Sequence, residues 1–223
     1  MVILSKSEKS FPYLLGQIGD CPKRLYCLGN VELLKGKKML AVVGSRNISE
    51  YGKRVVGKMV PEFVKAGITI VSGMALGVDT EVQKVCIGSG GKTIAVLASG
   101  VDVVSPMSNK WLYELILKSN GLIVSEFSDG VSPSPEKFLA RNRIISGLTS
   151  GVVVIEGSVR SGTLVTARLA AEQGREVWAV PGRMDETNSV APNYLIKNGA
   201  NIVIDAQEII ESLTGNDNID DNG

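Results

Sequence analysis

Small residues follow the apolar runs of this chain. Gly44-Ser45-Arg46-Asn47 comes after the first run, Ser72-Gly73-Met74-Ala75-Leu76-Gly77 after the second and Ser99-Gly100 after the third. Glu156-Gly157, then Ser161-Gly162-Thr163, follow the fifth, and Pro181-Gly182-Arg183 follows the sixth. Glycine and serine let backbone N–H groups approach a ligand closely, and a helix starting at such a turn adds its positive end. The chemistry this suits is recognition of phosphate. The chain contains neither GxGxxG nor GxxxxGK[ST], so a dinucleotide fingerprint and a P-loop are both missing. It also has no histidine among 223 residues, which removes Ser-His-Asp and Cys-His catalysis, histidine zinc sites and histidine pH switches. No catalytic residue, metal ligand or cofactor is expected.

The segment Phe138-Leu139-Ala140-Arg141-Asn142-Arg143-Ile144-Ile145-Ser146-Gly147-Leu148 places a cation where cations are costly. At about 100° per residue, Phe138, Arg141, Ile145 and Leu148 share one helical face, and Arg143 points about 200° from Arg141. An arginine centred on an apolar stripe needs a partner, either a carboxylate such as Glu126 or Glu156 or a ligand anion held bidentately. Taken alone, Arg143 reads as a solvated surface charge.

The elements that would position these residues are legible as apolar runs rich in Val and Ile. They centre on residues 40–43, 68–72, 93–98, 121–126, 152–156, 176–180 and 201–204, nearly continuous rather than alternating, as in strands buried on both faces. Spacings of roughly 25 to 30 residues leave room for a crossover helix between strands. The expectation is an α/β, doubly wound, mainly parallel sheet forming a single domain, with its crevice outside the carboxyl ends of the strands. Val55, Val56, Met59, Val60, Phe63 and Val64 make the stripe of a helix with Ser49 as N-cap and Gly67 as stop, which Pro61 is expected to kink or split. Residues 1–38 are expected to form an extension packed on the core, 39–205 the core, and 206–223 a short helix and a disordered acidic tail. Cys21, Cys27 and Cys86 form neither a CxxC pair nor an even set, so reduced thiols are expected. Without a signal segment or a stretch of about 18 apolar residues, the chain is expected to be cytoplasmic and free of membrane spans.

At this point a resemblance becomes visible. VVGSR at 42–46, SGMALGVD at 72–79, RNRIISGL at 141–148, VVVIEGSVRSGTLVTARLAAEQGREVWAVPG at 152–182 and NYLIKNGA at 193–200 closely resemble, in order, the DNA-processing protein A family (DprA, also called Smf). The similarity runs from about residue 13 to about residue 205. It implies an extended Rossmann-like core without the N-terminal helical domain and C-terminal winged helix of many members. It also implies single-stranded DNA binding, delivery of that DNA to a RecA-type recombinase during natural transformation, a homodimer, and no catalysis. By the same resemblance Arg46, Arg141 and Arg143 line a basic DNA-binding pocket, with Ser45, Ser161, Gly162 and Thr163 beside them. The full set of residues expected at the nucleic-acid or phosphate site is Gly44, Ser45, Arg46, Ser72, Gly73, Lys110, Arg141, Asn142, Arg143, Ser161, Gly162, Thr163 and Arg183. The chain departs from the family in having Ser105-Pro106 for the usual Tyr-Pro and Phe138-Leu139 for Phe-Pro, the first of which removes a stacking surface. With Phe63 and Trp178 read as buried, stacking candidates are Tyr51, Trp111, Tyr113, Phe127 and Tyr194.

Two alternatives belong to other classes. Nucleotide-hydrolysing phosphoribohydrolases of the related superfamily carry PGGxGTxxE, and this chain has Leu164-Val165-Thr166 where that glutamate would follow, leaving only Glu156 as a substitute carboxylate. The other is a module that senses a small phosphorylated ligand. The near-neutral total argues against a nucleic-acid partner, and charge segregation weakens that objection: residues 205–223 hold six of the 23 acidic residues and no basic one, leaving 17 acidic against 24 basic in 1–204. Deleting residues 214–223 is expected to tighten oligonucleotide binding at low salt, and an unchanged affinity would show that the tail does not compete with DNA.

Overall fold

The computed structural model describes residues 1–159 and 161–215. In chain order its elements are β1 Val2–Ser5, α1 Tyr13–Gly16, β2 Arg24–Gly29, β3 Met39–Val43, α2 Glu50–Lys65, β4 Thr69–Ser72, α3 Val78–Gly88, β5 Thr93–Val96, α4 Lys110–Lys118, β6 Leu122–Ser125, α5 Pro135–Gly147, β7 Gly151–Val154, α6 Gly162–Glu172, β8 Glu176–Ala179, α7 Val190–Lys197, β9 Asn201–Ile202 and α8 Gln207–Gly215. The described strands form a nine-stranded sheet in the order β1-β2-β6-β5-β4-β3-β7-β8-β9. From β6 to β9 every pairing is parallel, whereas β1 with β2 and β2 with β6 pair antiparallel.

Burial on both faces follows from the strand sequences. In β3, Leu40 and Val42 join one core while Met39, Ala41 and Val43 join the other, because successive side chains point to opposite faces. The first core is closed by α2, α3 and α8, and the second by α1, α5 and α6. A third cluster under α4 packs Leu112 and Ile116 on Leu97 and Ile123. All seven apolar runs become strands. The antiparallel edge was invisible to that pattern: residues 1–38 supply β1 and β2 to the sheet itself, with Met1, Val2 and Ile3 exposed. Such half-solvated strands lack the continuous apolar signal of parallel ones.

α2 runs unbroken through Pro61, so the helix is not split there. The carbonyl that loses its partner belongs to Gly57, four residues earlier, which faces solvent and has no Cβ to crowd the ring. Ser49 caps the helix by accepting from the Gly52 N–H at 3.1 Å, and Gly67 follows its end with φ +74°. Residues 216–223 of the acidic tail lie outside the described residues. Phe63 is fully buried between α2 and the sheet, so Phe63→Ala is expected to cost about 3–5 kcal/mol in urea unfolding.

Candidate nucleic-acid interface

The chain winds from β3 toward β4, β5 and β6 on one side and from β7 toward β8 and β9 on the other, so the switch point lies between β3 and β7. The loop after β3 enters α2 on one face and the loop after β7 enters α6 on the opposite face. Their divergence opens a crevice at the carboxyl edge. A cleft of about 750 Å³ lies there, lined by Gly44, Ser45, Arg46 and Asn47, the first turns of α5 with Phe138, Arg141 and Asn142, and the start of α6 at Ser161, Gly162 and Thr163.

Arg141 is 4% exposed and sits at the cleft floor. Its Nη1 donates to the carbonyl of Gly73 at 2.7 Å and to that of Val96, and its Nε donates to Asn142 Oδ1 at 3.2 Å. A Cβ on Gly73 would meet Nη2 at 2.6 Å, so glycine is what allows the guanidinium to lie there. Burial lowers the Arg141 pKa to about 10, opposed by Asp79 and aided by Arg46. The guanidinium is therefore charged at neutral pH. Asp79, on the first turn of α3, accepts from the N–H groups of Gly73 and Ala75 at 3.1 and 3.3 Å, and burial pushes its carboxyl above the ordinary value against the pull of Arg141. Between those two residues Met74 is held at φ +57°, with its carbonyl accepting from Asn109 Nδ2 at 2.8 Å. Gly77, at φ +77°, lets this loop lie directly on the backbone of Ser45 and Arg46.

Arg46 is exposed at the cleft mouth and makes no ion pair with a described carboxylate. Its Cζ lies 5.3 Å from the Phe138 ring centroid, and that of Arg141 lies 5.9 Å from the same ring. Two guanidiniums converging on one aromatic ring repel each other, and an anion between them offsets that cost. The neighbouring α6 begins at Ser161 without a side-chain cap, so its positive end adds to the same field. The turn after β3 is fixed by Asn188, whose Oδ1 lies 3.2 Å from Ser45 Oγ and whose Nδ2 donates to the Asn47 carbonyl at 2.8 Å.

The family model described as DNA recombination-mediator protein A matches residues 2–214. The chain belongs to that family. It is 42% identical over 203 residues to DNA processing protein DprA of Streptococcus pneumoniae, covering 91% of this chain and 71% of that protein. It is also 42% identical over 212 residues to protein Smf of Escherichia coli, covering 95% of this chain but 56% of that protein. The solved structure of DNA processing protein A from Helicobacter pylori, determined for its single-stranded DNA binding mode, superposes with a TM-score of 0.84 at 30% identity, covering 96% of this chain and 99% of that one.

The cleft of this DNA recombination-mediator protein A relative gathers Gly44, Ser45, Arg46, Arg141, Asn142, Ser161, Gly162 and Thr163 from the expected set. Ser72 and Gly73 lie behind it: Ser72 Oγ donates to the Val42 carbonyl at 2.8 Å, and Gly73 supports Arg141 and Asp79. Lys110 is at the start of α4 with Glu114 at 4.0 Å, and Arg183 pairs with Asp185 at 2.7 Å in the loop after β8. Neither lines the cleft. Arg143 does not line it either, and it is not a solvated charge. Its two Nη atoms engage Glu126 bidentately at 2.7 Å each and its Nε reaches Asp20 Oδ2 at 3.0 Å, tying the N-terminal segment and the end of β6 to α5. Glu126 is thus the partner of Arg143 rather than Arg141. Glu156 partners neither: it is 4% exposed and accepts from the backbone N–H and the hydroxyl of Ser49, anchoring the start of α2. Burial also pushes the thiols of Cys27 and Cys86 up to about 12, far from nucleophilic use.

Asp79, the ring of Phe138 as a meeting point of two cations, and Asn188 were not expected. Asp79 closes the SGMALGVD motif, where a carboxylate entering a helix after a glycine-rich loop was the available signal. The other two depend on long-range contacts. Arg143→Ala is expected to lower stability by about 2–3 kcal/mol, through loss of the part-buried pair with Glu126, while the folded protein keeps its oligonucleotide affinity.

Proposed function

We propose that this chain binds single-stranded DNA through the cleft at the β3/β7 switch point and acts as a recombination mediator in DNA uptake. The convergence of Arg46 and Arg141 on Phe138, beside the uncapped start of α6, carries this reading: it is a site for a phosphate next to an aromatic surface. Direct base readout is not its design, since the cleft offers guanidinium, hydroxyl and backbone groups suited to a sugar–phosphate chain, so binding is sequence-tolerant. Family membership and the H. pylori relative support the same substrate.

The role is binding rather than catalysis. Glu156, the carboxylate that a phosphoribohydrolase-like reaction would need, has both oxygens engaged by Ser49. Delivery of the strand to a RecA-type recombinase, a homodimeric state and a cytoplasmic location complete the proposal, supported by the family resemblance. No helix among the described residues is long and apolar enough to cross a membrane.

Arg46 is the cleaner test than Arg141, because removing Arg141 would also strand two buried carbonyls. Arg46→Ala is expected to weaken oligo-dT binding and to reduce the slope of log affinity against log salt by about 0.7, the loss of one phosphate contact. Unchanged affinity and slope in the folded variant would reject this cleft as the DNA site.

A further inference from the structure

A second groove lies on the other side of the turn that follows β3. It has a volume of about 280 Å³ and runs between α2 and the segments leaving β8 and β9, lined by Tyr51, Arg54, Lys58, Ile204 and Asp205 among others. Tyr51, Arg54 and Lys58 stand at i, i+3 and i+7 and so share one face of α2. Tyr51 is 39% exposed, and its ring is held by the hydroxyl, which donates to the Pro181 carbonyl at 2.8 Å. Ile204 is 71% exposed across from it.

The cations of this groove differ from their neighbours. Lys53 and Lys65 on the same helix are neutralised at i, i+3 by Glu50 and Glu62, at 2.6 and 2.7 Å. Arg54 and Lys58 make no ion pair with a described carboxylate. The one carboxylate in the lining, Asp205, is occupied at the start of α8, where its Oδ1 accepts from the N–H groups of Gln207 and Glu208 at 2.9 and 3.2 Å. A fixed aromatic face flanked by two unpaired cations is the pattern that holds one base and its adjoining phosphates.

The groove and the main cleft are flanked by the same turn and share no lining residue. Ser45, Arg46 and Asn47 line that cleft, and the same turn leads within one helical turn to Tyr51. The loop after β8 braces both sides, through Asn188 on Ser45 and Asn47 and through Pro181 on Tyr51. Both openings lie on the carboxyl edge of the parallel sheet. We propose that a single strand leaving the main cleft past Arg46 crosses this turn and continues along α2, with a base against Tyr51 and Ile204 and its phosphates at Arg54 and Lys58. This rests on the reading of the main cleft as a single-stranded DNA site.

The test is oligo-dT binding as a function of length and salt for the full chain and for Arg54→Ala/Lys58→Ala, Tyr51→Leu and Arg46→Ala. In the wild type, affinity should keep rising beyond the length that fills the main cleft. The double variant should match the wild type on the shortest oligomers and lose on the order of tenfold on long ones, with a salt slope lower by about 1.4 for two lost phosphate contacts. Tyr51→Leu should lose roughly fivefold or more on long oligomers only. Arg46→Ala should weaken binding at every length. A double variant with the wild-type length dependence, or one weakened equally at all lengths, would overturn the second groove while leaving the main cleft intact. A wild type that bound no oligomer would instead fail the DNA-binding reading itself.

Discussion

Arg141 carries a charge into a place with almost no access to water, and much of the cleft is arranged around it. A buried guanidinium costs several kcal/mol unless its donors are met. Here Nη1 is met by carbonyls at the exits of β4 and β5 and Nε by Asn142, and Asp79 adds an opposing field. Gly73 and Val96 sit at strand ends, Asn142 is the neighbour on α5 and Asp79 lies on the first turn of α3, so satisfying one side chain sets the relative positions of two loops and two helices. Gly73 follows from the same need, since any side chain there would displace the guanidinium. The left-handed backbone of Met74 is tolerated because Asp79 and Asn109 hold the groups on either side of it.

Preorganisation is the functional gain. In the proposed site, a phosphate entering between Arg46 and Arg141 would meet an Arg141 that is already ordered, and only the exposed Arg46 would lose conformational freedom. Phe138 supplies a rigid surface on which both guanidiniums rest, keeping like charges together that water would otherwise separate. The doubly wound topology explains why this happens between β3 and β7: the strand order reverses there and the following loops leave for opposite faces.

The two arginines of the RNR motif do different work although they are two residues apart. The helical rotation between them sends Arg141 to the cleft and Arg143 to the opposite flank, where Glu126 and Asp20 receive it. One organises the crevice and the other fastens the N-terminal segment to the body. Glu156 acts similarly behind the crevice, holding the cap residue of α2 and with it the direction in which the β3 turn leaves the sheet.

The seven parallel strands and the crevice at their carboxyl ends were legible in the sequence, because strands buried on both faces leave unbroken apolar runs and small residues mark their exits; the edge strand β9 is the exception, with both residues exposed. Arg46, Arg141 and the start of α6 were legible as phosphate-binding candidates for the same reason, one from its turn, one from its place on an apolar stripe and one from its Ser-Gly-Thr. The ordered motifs marked the family. Other features belonged to the tertiary structure alone. β1 and β2 carry no periodic signal strong enough to announce an antiparallel edge. Whether Glu126 and Glu156 served Arg141, Arg143 or a ligand depended on which strand ends lie side by side, and short-range spacing carries no such information. The same holds for the exclusion of Lys110, Arg143 and Arg183 from the cleft lining, and for the groove at Tyr51, Arg54 and Lys58. A side chain's direction follows from its own helix, whereas what it meets is decided by elements distant in the chain.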